Sequence, residues 1–240
     1  MSRQFEVRWE GVLPAPPQEA WDGITRHAVG WLWKTEYEPW AGGAERGLTG
    51  RGTVTAWDPP RHFATRAPDL DGFNQLDYLL EPHGQGTYLR YHHQGEFPED
   101  DYDVQLDACR QHTEFYHHSL GEYLRHFSGR EAVYVSAEAP DSSAKGGSDV
   151  VRRALGVPDG VAAGDRIRLT PAGLAPIDGV VDYVTDAFLG VRSADALFRV
   201  YGRDVWGWPV SVVCHLFADG AAGQDWGAWL RRVFADEGVA

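Results

Sequence analysis

An α+β fold, with helices gathered on one side of an antiparallel sheet, is what this chain predicts, and three observations carry it. The first is a long amphipathic stretch from Val104 to Phe127. Its apolar residues Leu106, Cys109, Tyr116, Leu120, Tyr123, Leu124 and Phe127 step by threes and fours along one stripe. The second is a set of short runs between Phe5 and Phe97 that alternate with period two and are separated by Gly and Pro. The third is their order: strand, two short helices, several strands, long helix.

Gln4 to Leu13 alternates Phe5, Val7 and Trp9, then Val12, a strand with one buried face. Pro14, Pro16 and Pro17 end it, and the last two suit the start of a helix carrying Ala20, Trp21 and Ile24 on one side. A second helical piece is expected from Thr25 to Trp33. The glycine-rich run from Gly42 to Gly52 then breaks the chain into short, turn-rich strands.

Gly52 to Trp57 reads as a strand, stopped by Asp58-Pro59-Pro60. Arg61 to Arg66 resumes an extended run. Phe73 to Leu80 and Thr87 to Phe97 form a hairpin closed by Glu81 to Gly86. Period two puts Leu76, Tyr78 and Leu80 on one face of the first strand, and Leu89, Tyr91 and His93 on one face of the second. Acids at 99, 100, 101 and 103 suit the electropositive start of the long helix, Arg125 and His126 its end, and Gly129 its stop.

The segments Gly52 to Arg61 and Gly86 to His93, with the long helix after them, resemble the SRPBCC superfamily. Within it they are most similar to the branch named after the C-terminal domain of the Hsp90 ATPase activator. The resemblance covers residues 3–128. It implies a helix-grip fold, a bent antiparallel sheet gripping a long C-terminal helix, with a ligand cavity where sheet and helix do not close. It also implies lining from the inner strand faces and the helix: Trp31, Tyr78, Leu89, Tyr91, His93, Tyr116 and Leu120. By its name alone, it brings a chaperone-regulating, stress-related role into view.

Residues 130–240 repeat the order of elements. Ala132 to Ala139 is a strand, and Ser148 caps a short helix from Asp149 to Leu155. Gly164 to Thr170 and Gly179 to Asp186 are strands; Ala196 to Gly202 and Pro209 to Phe217 are a hairpin pair. Gln224 to Phe234 has helical spacing in Trp226, Trp229, Leu230, Val233 and Phe234. The reading is two domains, 1–128 and 130–240, the second a reduced copy of the first; an extension of the first sheet is the alternative.

Composition narrows the function. With 35 acids against 22 bases, the formal charge is −13, which repels nucleic acid and anionic lipid surfaces. The longest apolar run, Val205 to Ala218, is too short to span a bilayer. Cys109 and Cys214 lie far apart in apolar stretches, as buried free thiols of a reducing compartment do. The opening MSRQFEVRWEG lacks the apolar core of a signal peptide. The expectation is a soluble cytoplasmic protein without cofactor, whose oligomeric state, a homodimer included, is open.

Glu114, His117 and His118 share helical spacing, yet the apolar stripe through Tyr116 and Leu120 turns them toward the flank or solvent, so packing or solvated histidines outweigh a metal site. Ser119 lacks a nucleophile elbow, and Cys109 has no evident activating neighbour. No catalytic set is expected. Three functions follow: binding of a small hydrophobic molecule or a protein partner in the sheet–helix groove; acid–base catalysis by His93 with Tyr78 or Tyr91, as in cyclase and aromatase relatives; and a chaperone cofactor.

Overall fold

The structure, a computed structural model, describes residues 2–48, 51–69, 72–218 and 223–237. The chain divides into two compact units, Met1–Glu131 and Ala132–Ala240. Both are α+β with antiparallel sheets.

The first unit runs β1 (Ser2–Leu13), α1 (Pro17–Thr25), β2 (Glu36–Tyr37), β3 (Ala44–Arg46), β4 (Arg51–Asp58), β5 (His62–Asp69), β6 (Gly72–His83), β7 (Gly86–Pro98) and α2 (Tyr102–His126). Residues 49–50 of the glycine-rich run lie outside the described residues. The sheet order is β1-β7-β6-β5-β4-β3-β2, so the first strand pairs with the last and the sheet then runs back to the second. A long helix set against such a sheet is compatible with a helix grip.

Register gives the sheet its character. Trp9 pairs with Tyr91, Tyr91 with Tyr78, Tyr78 with Phe63 and Phe63 with Trp57. Five adjacent strands thus contribute one aromatic row. Ring contacts along it, 4.9 Å for Tyr78–Tyr91, 5.8 Å for Phe63–Tyr78 and 5.6 Å for Trp57–Phe63, are each worth about 0.5–1.5 kcal/mol beyond burial. Trp21 of α1 caps the row edge-on over Trp57 and Phe63.

The β6–β7 hairpin closes in two residues, Gly84 and Gln85, with Gly84 at φ +60° in the left-handed conformation such a turn requires. The helical piece expected at 25–33 shrinks to a single 3-10 turn, Ala28–Gly30. Gly30 lies so close to Tyr123 of α2 that a Cβ there would overlap the ring. The segment follows that contact, and a longer helix would have to leave it. Trp31 then turns back to donate from Nε1 to the Gly23 carbonyl at 2.9 Å.

The second unit runs β8 (Val133–Glu138), α3 (Gly147–Ala154), β9 (Arg166–Leu169), β10 (Ile177–Val184), β11 (Phe188–Arg192), β12 (Ala196–Tyr201), β13 (Ser211–Leu216) and α4 (Trp226–Glu237). Its sheet order, β8-β13-β12-β11-β10-β9, also pairs first strand with last and runs back to the second. Val151, Trp226, Trp229 and Leu230 from the helices, with Leu155 just past the end of α3, bury against Leu189, Val191, Phe198 and Val200. β11 escapes a sequence reading because Phe188 to Val191 is buried throughout, with no alternation to mark a strand. The expected Ser148 cap is corrected: Gly146, at φ +68°, precedes the helix, and Ser148 bonds Asp204 through its backbone N–H (3.1 Å) and its hydroxyl. Among the described residues, no helix is long and apolar enough to cross a membrane.

Candidate functional site

A cavity of about 220 Å³ lies in the first unit between β6, β7, the segment after α1 and helix α2. The sheet contributes Asn74, Leu76 and Tyr78 from β6 with Tyr91 and His93 from β7. Alternation explains this set, since Leu76 pairs with His93 and Tyr78 with Tyr91, all on the inner face. Helix α2 contributes Cys109, His112, Thr113, Tyr116 and His117, the i, i+3, i+4, i+7, i+8 stripe of one helix face. Trp31, Leu32, Trp33 and Leu48 complete the wall.

Of the seven residues expected as lining, Trp31, Tyr78, Tyr91, His93 and Tyr116 stand on this wall. Leu89 and Leu120 do not. Both are fully buried core: Leu89 is two residues beyond Tyr91, beside Gly11 and Leu80, while Leu120 turns toward Gly23 of α1.

His93 is held at both ring nitrogens. Its Nε2 lies 2.7 Å from Asn74 Oδ1, the diagonal neighbour across the β6–β7 ladder. Its Nδ1 lies 3.3 Å from Cys109 Sγ. An amide oxygen accepts, so Nε2 carries the proton and Nδ1 accepts from the thiol. The partner is therefore an asparagine and a cysteine, where the sequence suggested Tyr78 or a ligand.

Thiol, imidazole and amide in this order have the connectivity of a nucleophile, a base and an orienting group. The electrostatics run the other way. Burial pushes the Cys109 thiol up to about 12 and the His93 imidazole down to about 4, so both are neutral near pH 7. The chain Cys109–His93–Asn74 is a neutral hydrogen-bonded strut from α2 to the sheet. It fixes one side of the cavity.

His117 forms the other side and corrects the expected helix face. It is 4% exposed, not solvated. Its ring stacks on Trp9 (centroids 4.4 Å, planes 10° apart) and tilts against Tyr91 at 4.5 Å. Its Nδ1 lies 2.8 Å from the Thr113 carbonyl one turn back. Burial brings the imidazole down to about 4. Glu114, by contrast, stays at the surface, where it accepts from Trp9 Nε1 at 2.9 Å. Among the described residues, no three His, Cys, Asp or Glu side chains group to hold a metal ion.

Tyr78 and Tyr91 have hydroxyls pushed well above their ordinary range by burial. They serve as neutral donors or acceptors, never as phenolates near neutrality. What was missed on α2 was the polar half of the stripe. Thr113 and His117 stand at i+4 and i+8 from Cys109, which the apolar stripe already held, and this spacing was the available signal, masked by residue types that read as solvent-facing.

No family model matches this chain. No curated protein matches it either. Solved structures similar to it include a Mesorhizobium loti protein, 20% identical over 52% of this chain and 99% of its own, with a TM-score of 0.44. CalU16 from Micromonospora echinospora is 20% identical over 52% of this chain and 75% of its own, at 0.40. DynU16, a protein in the dynemicin biosynthetic locus, is 17% identical over 96% of this chain and 93% of its own, at 0.44. With each of these scores below 0.5, the fold rests on the strand order and register of this chain.

Proposed function

We propose that this chain binds a small hydrophobic molecule of one or two rings in the cavity between β6, β7 and α2. The observation that carries this reading is the wall itself: Trp31, Trp33, Tyr78, Tyr91 and Tyr116 surround about 220 Å³, with Asn74, Thr113 and the imidazoles as polar tips. Apolar walls with a few placed polar groups are what small-molecule sites are made of. The volume exceeds the roughly 150 Å³ of an apolar cavity that takes up benzene. It falls below the roughly 300 Å³ at which drug-sized pockets begin. A ligand of one or two rings follows.

In the same reading, the first unit is a helix-grip domain and the second a reduced copy, one strand shorter. The shared winding of the two sheets supports this. Acid–base catalysis at His93 has less support, because both of its nitrogens are already engaged by Asn74 and Cys109.

The test is titration with one- and two-ring aromatics, followed by tryptophan fluorescence and thermal unfolding. Trp31 and Trp33 are reporters in the wall. A ligand at 100 times its Kd adds about 2.7 kcal/mol to the stability of the unit that binds it, a shift of several degrees. Absence of both a fluorescence change and a shift across the series would defeat the proposal.

A further inference from the structure

A strand at the end of a sheet carries a row of backbone N–H and C=O groups with no ladder to join. Among the described residues β1 is the longest such strand, with twelve residues against two in β2, six in β8 and four in β9. Register tells which of its groups face outward. The β6–β7 hairpin closes on the hydrogen-bonded pair His83–Gly86, so even-numbered residues of β7 bond β6 and odd-numbered ones bond β1. The β1–β7 register is unbroken from Ser2–Pro98 to Leu13–Thr87, so the odd residues of β1 are the ones bonded to β7. The N–H and C=O of Gln4, Glu6, Arg8, Glu10 and Val12 therefore point away from the sheet. One contact checks this: the Gln4 carbonyl accepts from the Tyr102 hydroxyl at 2.9 Å. Among the described residues, the backbone groups of Glu6, Arg8, Glu10 and Val12 have no partner on that side.

This edge is not built to keep another strand off. From Ser2 to Leu13 it has no proline, no lysine and no bulge, the usual guards, and its charges alternate in sign. A groove of about 670 Å³ lies beside it, between Glu6 and Arg8 of the strand and Arg110, Gln111 and Glu114 of α2. The chain as a whole carries −13, which opposes self-association, but this groove sets two arginines against two glutamates.

The exposed side chains of that row, Glu6, Arg8, Glu10 and Val12, choose the occupant. In a two-fold antiparallel pair of β1 strands, an axis at Glu6, Arg8 or Glu10 opposes like charges. An axis at Phe5 or Val7 calls on the Gln4 carbonyl, which Tyr102 already holds. An axis at Gly11 runs Arg8 against Pro14, which has no N–H. An axis at Trp9 sets Arg8 against Glu10 of the second copy, twice by symmetry.

We propose that two copies of this chain associate by pairing their β1 strands antiparallel about Trp9, so that the two first-unit sheets become one. Glu6–Val12 and Arg8–Glu10, with their two-fold mates, each exchange a pair of backbone hydrogen bonds. Trp9 meets Trp9 across the axis, an aromatic cross-strand pair.

The experiment is sedimentation equilibrium of the full chain at pH 7 in low salt, from about 1 μM to 1 mM, which spans the affinities of small interfaces. A reversible monomer–dimer equilibrium is expected. Arg8→Glu and Glu10→Arg each put like charges into both contacts and should weaken the dimer about tenfold or more. Mixed, the two variants complement each other and should form a heterodimer of restored affinity, and the double variant should dimerise as the unaltered chain does. Both side chains are exposed, so the fold survives these changes. Amide exchange gives a second readout. The amides of Glu6, Arg8, Glu10 and Val12 should slow as the dimer forms, while those of Val7, Trp9 and Gly11, bonded to β7, are slow throughout.

A monomer across the whole range, a dimer that both charge variants leave unchanged, or variants that fail to rescue each other would overturn the proposal. Even-numbered amides that still exchange fast in the dimer would overturn it too, because the contact would then lie elsewhere.

Discussion

The indole of Trp9 lies flat on the imidazole of His117, with ring centres 4.4 Å apart and planes 10° apart. Gly11, two residues along β1, makes this possible, because a Cβ there would overlap the Trp9 ring. Gly11→Ala should displace the indole, break its bond to Glu114 and loosen His117. The expected cost is about 1–3 kcal/mol, as for other overpacked sites. Urea unfolding and near-ultraviolet circular dichroism check it; unchanged stability with an unchanged aromatic spectrum would show that Trp9 is not pinned there.

The buried imidazoles set a pH dependence whose sign follows from linkage. His117 ionises at about 4 when folded, against about 6.5 in an unfolded chain. Between these values the unfolded state binds more protons, so stability rises with pH and is fully present above 6.5. It is lost as pH falls from 6.5 toward 4. Between pH 7.5 and 5 the loss from His117 is about 2 kcal/mol, and His93 acts in the same direction. Denaturant midpoints at the two pH values should differ less in His117→Phe than in the unaltered chain. An identical difference would mean that His117 is not buried in its neutral form.

How much of this was legible beforehand differs between the two walls of the cavity. The sheet wall was readable, because period two in Leu76–Tyr78 and Tyr91–His93 assigns a face without knowledge of the partner strands. The aromatic row was not, since it depends on the register that brings Trp9 and Trp57 into line with Tyr78. On α2, reading the helix by its apolar residues found Tyr116 and Cys109 but sent His117 outward. Its burial depends on a stack with a residue 108 positions away (117 − 9), a relation that local periodicity does not carry. His93 was rightly picked out as an inward imidazole, but its partners lie one diagonal across the ladder and on another element.

The two thiols offer a sharp chemical test. Burial pushes both Cys109 and Cys214 up to about 12. An ordinary cysteine near 8.5–9 is roughly a tenth ionised at pH 8 or more, so these two thiols, Cys214 buried and Cys109 half-buried, should alkylate about a thousandfold more slowly. Because the chain has two cysteines in all, iodoacetamide at pH 8 should label essentially nothing in the native protein and two sites in urea. Rapid native labelling at Cys109 would mean that the strut with His93 is an activated pair after all.

In the second unit, the guanidinium of Arg199 on β12 reaches Asp182 on β10 at 2.9 Å, with both side chains almost wholly buried. β11 lies between these strands, and the pair crosses it at Gly190, where a Cβ would meet the Asp182 carboxylate and the Arg199 Nη1. Glycine at 190 is therefore a space requirement, even in a strand where glycine otherwise weakens pairing. A buried ion pair adds little over an apolar pair of the same volume, yet losing one member is severe, at about 3–5 kcal/mol. Asp182→Ala should cost the second unit about that much, and Gly190→Ala should be destabilising as well, because its methyl group would push the pair apart. Since both changes act on one contact, the double variant should cost clearly less than the sum of the singles. Additive losses in denaturant unfolding would show that Gly190 and Asp182 act independently, and that the glycine serves something other than this ion pair.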